Sequence, residues 1–435
     1  MLYYSTNKTA PLAALRKAVT QGLAEDRGLY MPEKINRLPA DFFKRFHQLN
    51  FQDIACNVAD AFFGEDIETE ALRRIVKETL SFPCPVVEVE PNIYSLELFH
   101  GPTLAFKDVG ARFMARLLQH FRKGSDTVNV LVATSGDTGS AVANGFLGVE
   151  GIQVYVLYPK GKVSPIQECQ FTTLGRNITA IEVDGVFDDC QRLVKQAFMD
   201  QDLRQQLTLT SANSINVARF LPQAFYYFNA VAQVNARFAP DFPEIVISVP
   251  SGNFGNLTAA LFGQQMGLPV KRFIAANNAN DIVFKYLKTG LYQPKDSVQT
   301  IANAMDVGDP SNFARILDLY GKSHEAICKD ISGATYTDEQ IAETMRQCLA
   351  ETGYQLDPHG ACGYRALQEG LREGEVGFFI ETAHPAKFKQ TVDSICGGDV
   401  AIPERLQAFM KGTKQSIPMS KDYDSFKAFL KAQTH

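Results

Sequence analysis

The sequence predicts an α/β protein built on parallel sheets with a helical N-terminal region, and two observations carry that prediction. From residue 127 onward, short apolar runs alternate with segments of helical period, separated by turns rich in Gly, Ser, Thr and Asn. Strands that are apolar throughout need cover on both faces, which right-handed βαβ crossovers provide. Ahead of them, residues 1–90 carry helical stripes instead.

Each element follows from its own pattern. "PLAALRKAVTQGL" places apolar residues at 12, 15, 19 and 23, which predicts a helix. "DIACNVADAFFG" and "ETEALRRIVKETL" repeat the stripe, each near an acidic or Thr cap candidate. "SFPCPVVEVEPN" interrupts it with three prolines and marks a boundary at 81–92. "TVNVLVAT", "IQVYVLYP" and "ITAIEVDG" read as strands, interleaved with helices in "GSAVANGFLG", "SPIQECQFTTLG" and "FDDCQRLVKQAFMD". "EIVISVP", "VKRFIAANN" and "GEVGFFIETA" continue the alternation, and residues 400–435 read as peripheral helices.

Composition narrows the function. The chain has 435 residues, 45% hydrophobic and 21% charged, with a net charge of −5. That is ordinary for a globular protein of two or three domains and gives nucleic-acid binding no support. No apolar run approaches the roughly 18 residues of a membrane span, and "MLYYSTNKTA" does not read as a secretory signal. Eight cysteines are scattered without a CxxC pair, as expected of reduced thiols rather than a disulfide framework or a metal site. The expectation is a cytoplasmic protein acting on small molecules, without metal.

Three segments share one design, an extended stretch entering a small-residue turn that opens a helix. They are "VLVATSGDTGSAVANGF" with its turn at Ser135–Gly139, "VISVPSGNFGNLTAALF" with Ser251–Asn256, and "TLTSANSINVARFLPQAF" with Asn213, Ser214 and Asn216 before Arg219. Amides at a helix mouth favour an anion. For any single loop, ordinary turn and capping use explains the composition at least as well. Three loops of this density favour a site for several anionic groups. None matches GxGxxG with a distal acid, or GxxxxGK[ST], so a nucleotide is not indicated.

"FHGPTLAFKDVG" places Lys107 among Leu104, Phe106 and Val109, at the mouth of an amphipathic helix with Asp108 as candidate N-cap. Desolvation and the helix dipole both disfavour an ammonium there, as an amine nucleophile requires. Taken alone, the segment is accounted for somewhat better by a loop lysine lying along apolar surface with its head in water.

The segment "ELFHGPTLAFKD" closely resembles the pyridoxal-phosphate (PLP) attachment segment of fold-type II PLP enzymes, and within them the threonine synthase family. "TQGLAEDRGLYMP", "TSGDTGSA", "SANSIN", "VPSGNFGN", "NAMDVGDPSNFAR" and "TAHPAKF" are similar to that family's blocks, in the same order. The resemblance is to the longer bacterial and fungal form and covers nearly the whole chain. It implies a tryptophan synthase β-like fold with a helical region at 1–92, a smaller α/β domain at 93–210 and a larger one at 211–435.

It also implies roles. Lys107 would hold PLP covalently and, once displaced by substrate, move protons. Gly252, Asn253, Phe254, Gly255 and Asn256 would cradle the cofactor phosphate. Thr382 would set its hydroxyl against the pyridine nitrogen. Ser135, Gly136, Asp137 and Thr138 would hold the substrate carboxylate, and Asn213, Ser214 and Arg219 its phosphate, to which a guanidinium is suited. His384 and Lys387 lie in the same motif without an assigned role. Many relatives carry Asn where this chain has Asp137, and an ionised Asp cannot donate a hydrogen bond; its contacts are therefore open. Asp306 reads equally as a turn residue, while His100 and His359 read as loop histidines.

The implied reaction converts O-phospho-L-homoserine and water to L-threonine and phosphate, with monomer favoured over homodimer and no nucleic-acid or membrane partner. The alternatives are another fold-type II lyase, such as threonine dehydratase, and a PLP-fold protein that binds amino-acid phosphates without turnover.

Overall fold

The computed structural model describes residues 1–122 and 127–433, which divide into two compact units. One comprises Met1, 31–106 and 220–401; the other comprises 2–30, 107–219 and 402–435. The units interleave along the chain, so the expected borders after residues 92 and 210 fall within units, and the chain changes unit at 106/107 and 219/220. Borders read from sequence follow punctuation such as prolines. The units are instead set by which segments pack together.

In the unit containing 220–401, six strands lie in the order Ile331–Thr335, Arg272–Asn277, Glu244–Pro250, Glu375–Glu381, Ile93–Glu97, Val86–Glu90. All neighbours are parallel except the last pair, which forms a hairpin. Helix Pro358–Gly370 packs across four of these strands and closes a core that includes Val246, Ile274, Leu356, Leu367 and Phe379. The order reverses between Glu244–Pro250 and Glu375–Glu381. In open α/β sheets that switch point opens a crevice beyond the strands' carboxyl ends. The turns 251–256 and 382–388 emerge there.

In the unit containing 107–219, five parallel strands run in the order Ile417–Ser420, Ile178–Asp184, Ile152–Pro159, Val128–Ala133, Thr208–Ser211. Its core includes Leu131, Leu157, Ile181 and Leu193, with Phe426 from the C-terminal segment. The switch point lies between Val128–Ala133 and Thr208–Ser211, beneath the turns at 134–139 and 212–216. The C-terminal segment contributes an edge strand where only helices are expected from its pattern. Lys414 fixes that segment, its Nζ lying 2.6 Å from Glu168 and 2.7 Å from Glu182.

The N-terminal helices form at Leu15–Gln21, Phe51–Phe63 and Thr69–Thr79. The strand Leu2–Ser5, paired antiparallel with Ala13–Ala14, is an addition to the helical reading. Pairs this short carry too little alternation to be legible in sequence.

Candidate active site

The turn after Glu244–Pro250 is an anion cradle. Helix Gly255–Gln265 starts on Phe254, whose φ of 62° is unusual for a bulky residue. The Phe254 ring, buried edge-on to Phe313, holds it there. The amides of Gly252, Asn253, Phe254, Gly255 and Asn256 donate to no described residue. Five amides at a helix mouth are the chemistry a phosphate monoester requires.

The side chain of Asn256 is spent inside the turn. Its Oδ1 accepts from Ser251 Oγ at 2.7 Å and from the Leu257 amide at 2.9 Å, and its Nδ2 donates to the Pro250 carbonyl at 2.9 Å. Its offer to a phosphate is therefore its amide. Asn253 is exposed and braced by the segment 311–312, with Asn312 N donating to its carbonyl at 3.2 Å and Ser311 Oγ to its Oδ1 at 3.3 Å. A Cβ on Gly252 would lie 2.6 Å from the Ala304 carbonyl, so only glycine admits that neighbouring turn. The motif "NAMDVGDPSNFAR" is thus the scaffold of the cradle, a role its matching pattern alone does not reveal.

Thr382 lies on the adjacent strand end, 8% exposed, and its hydroxyl bonds to no described residue. Ala105 and Ala383 form an antiparallel bridge, the Phe106 amide donates to the Thr382 carbonyl at 2.8 Å, and the His384 amide to the Leu104 carbonyl at 3.1 Å. The Tyr226 hydroxyl donates to the Phe106 carbonyl. Phe106 is therefore clamped through both its amide and its carbonyl, and the next residue is Lys107.

Helix Lys107–Phe121 begins on the lysine itself, so Asp108 is a buried first-turn residue rather than the N-cap. Lys387, also buried, donates to the Thr103 carbonyl at 2.8 Å and braces the turn leading to Lys107. His384 Nδ1 accepts from the Ala386 amide at 3.1 Å; burial, with His100 nearby, lowers its pKa. A cap acceptor and a depressed pKa describe a neutral imidazole with its proton on Nε2.

In the other unit, the turn Thr134–Gly139 is organised by Thr134, whose Oγ1 accepts from the amides of Gly136 and Gly139 at 2.9 and 2.8 Å. Gly136 has φ 145°, and a Cβ there would strike the Gln167 side chain. Gln167 Nε2 donates to Asp137 Oδ1 at 2.9 Å, which fixes one oxygen of a carboxyl whose contacts the sequence leaves open. The Ser135 and Thr138 hydroxyls, half-buried, bond to no described residue. Asn213 Nδ2 donates to the Ala133 carbonyl at 3.2 Å and joins the two switch-point turns.

The third turn departs from expectation. It opens a four-residue helix, Val217–Phe220, which passes into a 3-10 turn at Leu221–Gln223, because Pro222 cannot donate into a continuing α-helix. The dipole argument therefore does not apply there. Arg219 is 3% exposed, and its Nη1 donates to the Ala212 carbonyl, bracing that turn. Gly110, one turn into the Lys107 helix, lets the Arg219 backbone approach to where its Cβ would lie 2.6 Å from the carbonyl. Asp306 is a structural knot, accepting from Asn278 Nδ2 at 2.8 Å, Asn280 Nδ2 at 3.1 Å, Thr300 Oγ1 at 2.7 Å and the Thr300 amide at 2.9 Å.

No described cluster of His, Cys, Asp or Glu could hold a metal ion, and no described helix is long and apolar enough to cross a membrane. A switch-point phosphate cradle and a hydroxyl on the adjacent strand end, both within the unit containing 220–401, are parts of a cofactor site. Residues 79–381 match the family profile "Pyridoxal-phosphate dependent enzyme". Fold and sequence together define a PLP-dependent enzyme of fold-type II. The profiles "Threonine synthase N terminus" and "Threonine synthase, C-terminal" match residues 2–80 and 360–430. Threonine synthase from Serratia marcescens is 46% identical over 406 residues, 93% of either chain. Two solved structures each superpose with a TM-score of 0.93 and full coverage of both chains. One is threonine synthase from Escherichia coli at 43% identity, the other PLP-bound threonine synthase from Brucella melitensis at 32%. The chain belongs to the threonine synthase family.

Proposed function

We propose that the chain converts O-phospho-L-homoserine and water to L-threonine and inorganic phosphate in the cytoplasm, as a monomer, with PLP held by Lys107. Bound PLP supplies an electron sink for the charge released as protons leave Cα and Cβ and phosphate leaves Cγ. The five unbonded amides at 252–256 carry this reading, since they suit the cofactor phosphate and serve no other described group.

Thr382 sets its hydroxyl against the pyridine nitrogen. A hydroxyl leaves the ring proton uncommitted, unlike a carboxylate. The Ser135 and Thr138 hydroxyls, beside Gly136 and Asp137, take the substrate carboxylate. Asn213, Ser214 and Arg219 take its phosphate. Lys107 would hold PLP and, with substrate bound, would carry protons at the substrate carbons.

The test is purified protein with PLP and O-phosphohomoserine, assayed for both products, beside Lys107→Ala. The expected result is equimolar threonine and phosphate, with the cofactor's lysine-bound absorbance band and the activity both lost in Lys107→Ala. Phosphate with 2-oxobutyrate in place of threonine, or a band retained without the lysine, refutes the reading.

A further inference from the structure

The buried histidine outside the motifs above, His359, is held from both sides. It is 2% exposed at the start of helix Pro358–Gly370, its ring 4.8 Å from that of Phe388. Nε2 accepts from the Ala304 amide at 3.1 Å, and Nδ1 lies 2.8 Å from Asp357 Oδ1. A backbone amide can only donate, so Nε2 is unprotonated and Nδ1 carries the proton given to Asp357. Asp357 is itself fixed. Its Oδ1 caps the helix at the His359 and Gly360 amides, and its own amide donates to Glu381 Oε1 at 2.7 Å. Glu381 directly precedes Thr382.

On the other side of the imidazole, the turn 303–305 lies against the phosphate cradle. The space a Gly252 Cβ would occupy is bounded by the Ala304 carbonyl at 2.6 Å and Met305 Cα at 3.0 Å. Asp306 anchors the end of that turn through its four hydrogen bonds. Contacts therefore run from the strand end carrying Thr382, through Glu381, Asp357, His359 and Ala304, to Gly252.

We propose that His359 is a positioning residue for the cofactor phosphate: its Nε2 holds the Ala304 amide, keeping the 303–305 turn against Gly252 and the cradle amides in place. This rests on the PLP reading above. A histidine that merely filled the core would affect ligands with and without a phosphate alike. A positioning histidine acts on the phosphate-bearing ligand alone.

The experiment titrates the apoprotein with PLP and with pyridoxal, which lacks the phosphate, following the absorbance of each bound species. In His359→Phe the Ala304 amide has no acceptor, and PLP affinity should fall roughly tenfold while pyridoxal affinity changes less than about twofold. His359→Gln offers a carbonyl oxygen to the same amide and should recover PLP affinity to within about threefold. Should the Phe variant not fold, His359→Asn, too short to reach Ala304, carries the same expectation. Equal losses for both ligands, no loss for either, or a Gln variant no better than Phe overturns the inference. Wild-type protein that takes up no PLP overturns the cofactor reading and this inference with it; normal uptake with an unchanged ratio overturns the inference alone.

Discussion

Gly360 lies in the first turn of helix Pro358–Gly370, where alanine is ordinarily the better residue by about 1 kcal/mol. Here the space is taken. A Cβ would fall 1.3 Å from Glu381 Oε2, 2.4 Å from its Cδ and 2.9 Å from Oε1. Glu381 is fully buried, and its Oε1 holds the Asp357 amide. If the carboxyl yields, that buried amide loses its acceptor at about 1–3 kcal/mol. If the helix yields instead, overpacking costs a similar about 1–3 kcal/mol. A single penalty matches or outweighs the propensity gain, and where both apply Gly360→Ala should lose about 1–5 kcal/mol. Denaturant unfolding of the apoprotein, followed by circular dichroism, measures this loss. Because Gly360→Ala already displaces the carboxyl, Glu381→Ala should cost at least about 1 kcal/mol less in the Gly360→Ala background than in wild type. A Gly360→Ala protein as stable as wild type, or more stable, would refute the reasoning.

Two further outcomes concern carboxyls. Burial, with the Asp357 carboxyl beside it, holds Glu381 well above the ordinary glutamate range. Its contribution to stability is complete below the unfolded pKa of about 4.3 and is lost as pH rises through the folded one. Glu381→Gln cannot ionise, so its stability relative to wild type should grow between about pH 5 and about pH 9; a constant difference across that range contradicts the assignment. Asp306→Ala removes one acceptor from four donors at once and should cost at least about 3 kcal/mol in the same unfolding assay, whereas a loss under about 1 kcal/mol would mean water replaces the carboxyl.

The alternation of strands and helices was legible because apolar runs and amphipathic stripes are local properties, and the strands from Val128–Ala133 to Glu375–Glu381, Ile331–Thr335 excepted, lie within the segments that pattern marks. The short strands Leu2–Ser5 and Ile417–Ser420 were not, since their partners are set by packing. At the site, the Gly- and Ser-rich turns were readable as helix mouths. Thr134, Tyr226 and Gln167 were not, because a threonine accepting two amides looks no different in sequence from one that caps a strand. The density of Asn and Asp across 303–312 was a usable signal for a hydrogen-bonded knot.

The sequence by itself determined the α/β class, the anion-type turns and a lysine at a helix mouth, because these follow from residue type over a few positions. Tertiary structure decided which turns became neighbours, through the reversal of strand order at each sheet's switch point. It also decided that Phe254 adopts a left-handed conformation and that Arg219 is buried bracing its own loop. Such outcomes depend on groups far apart in the chain, here Phe313 against Phe254 and Gly110 against Arg219, whose approach no local pattern encodes.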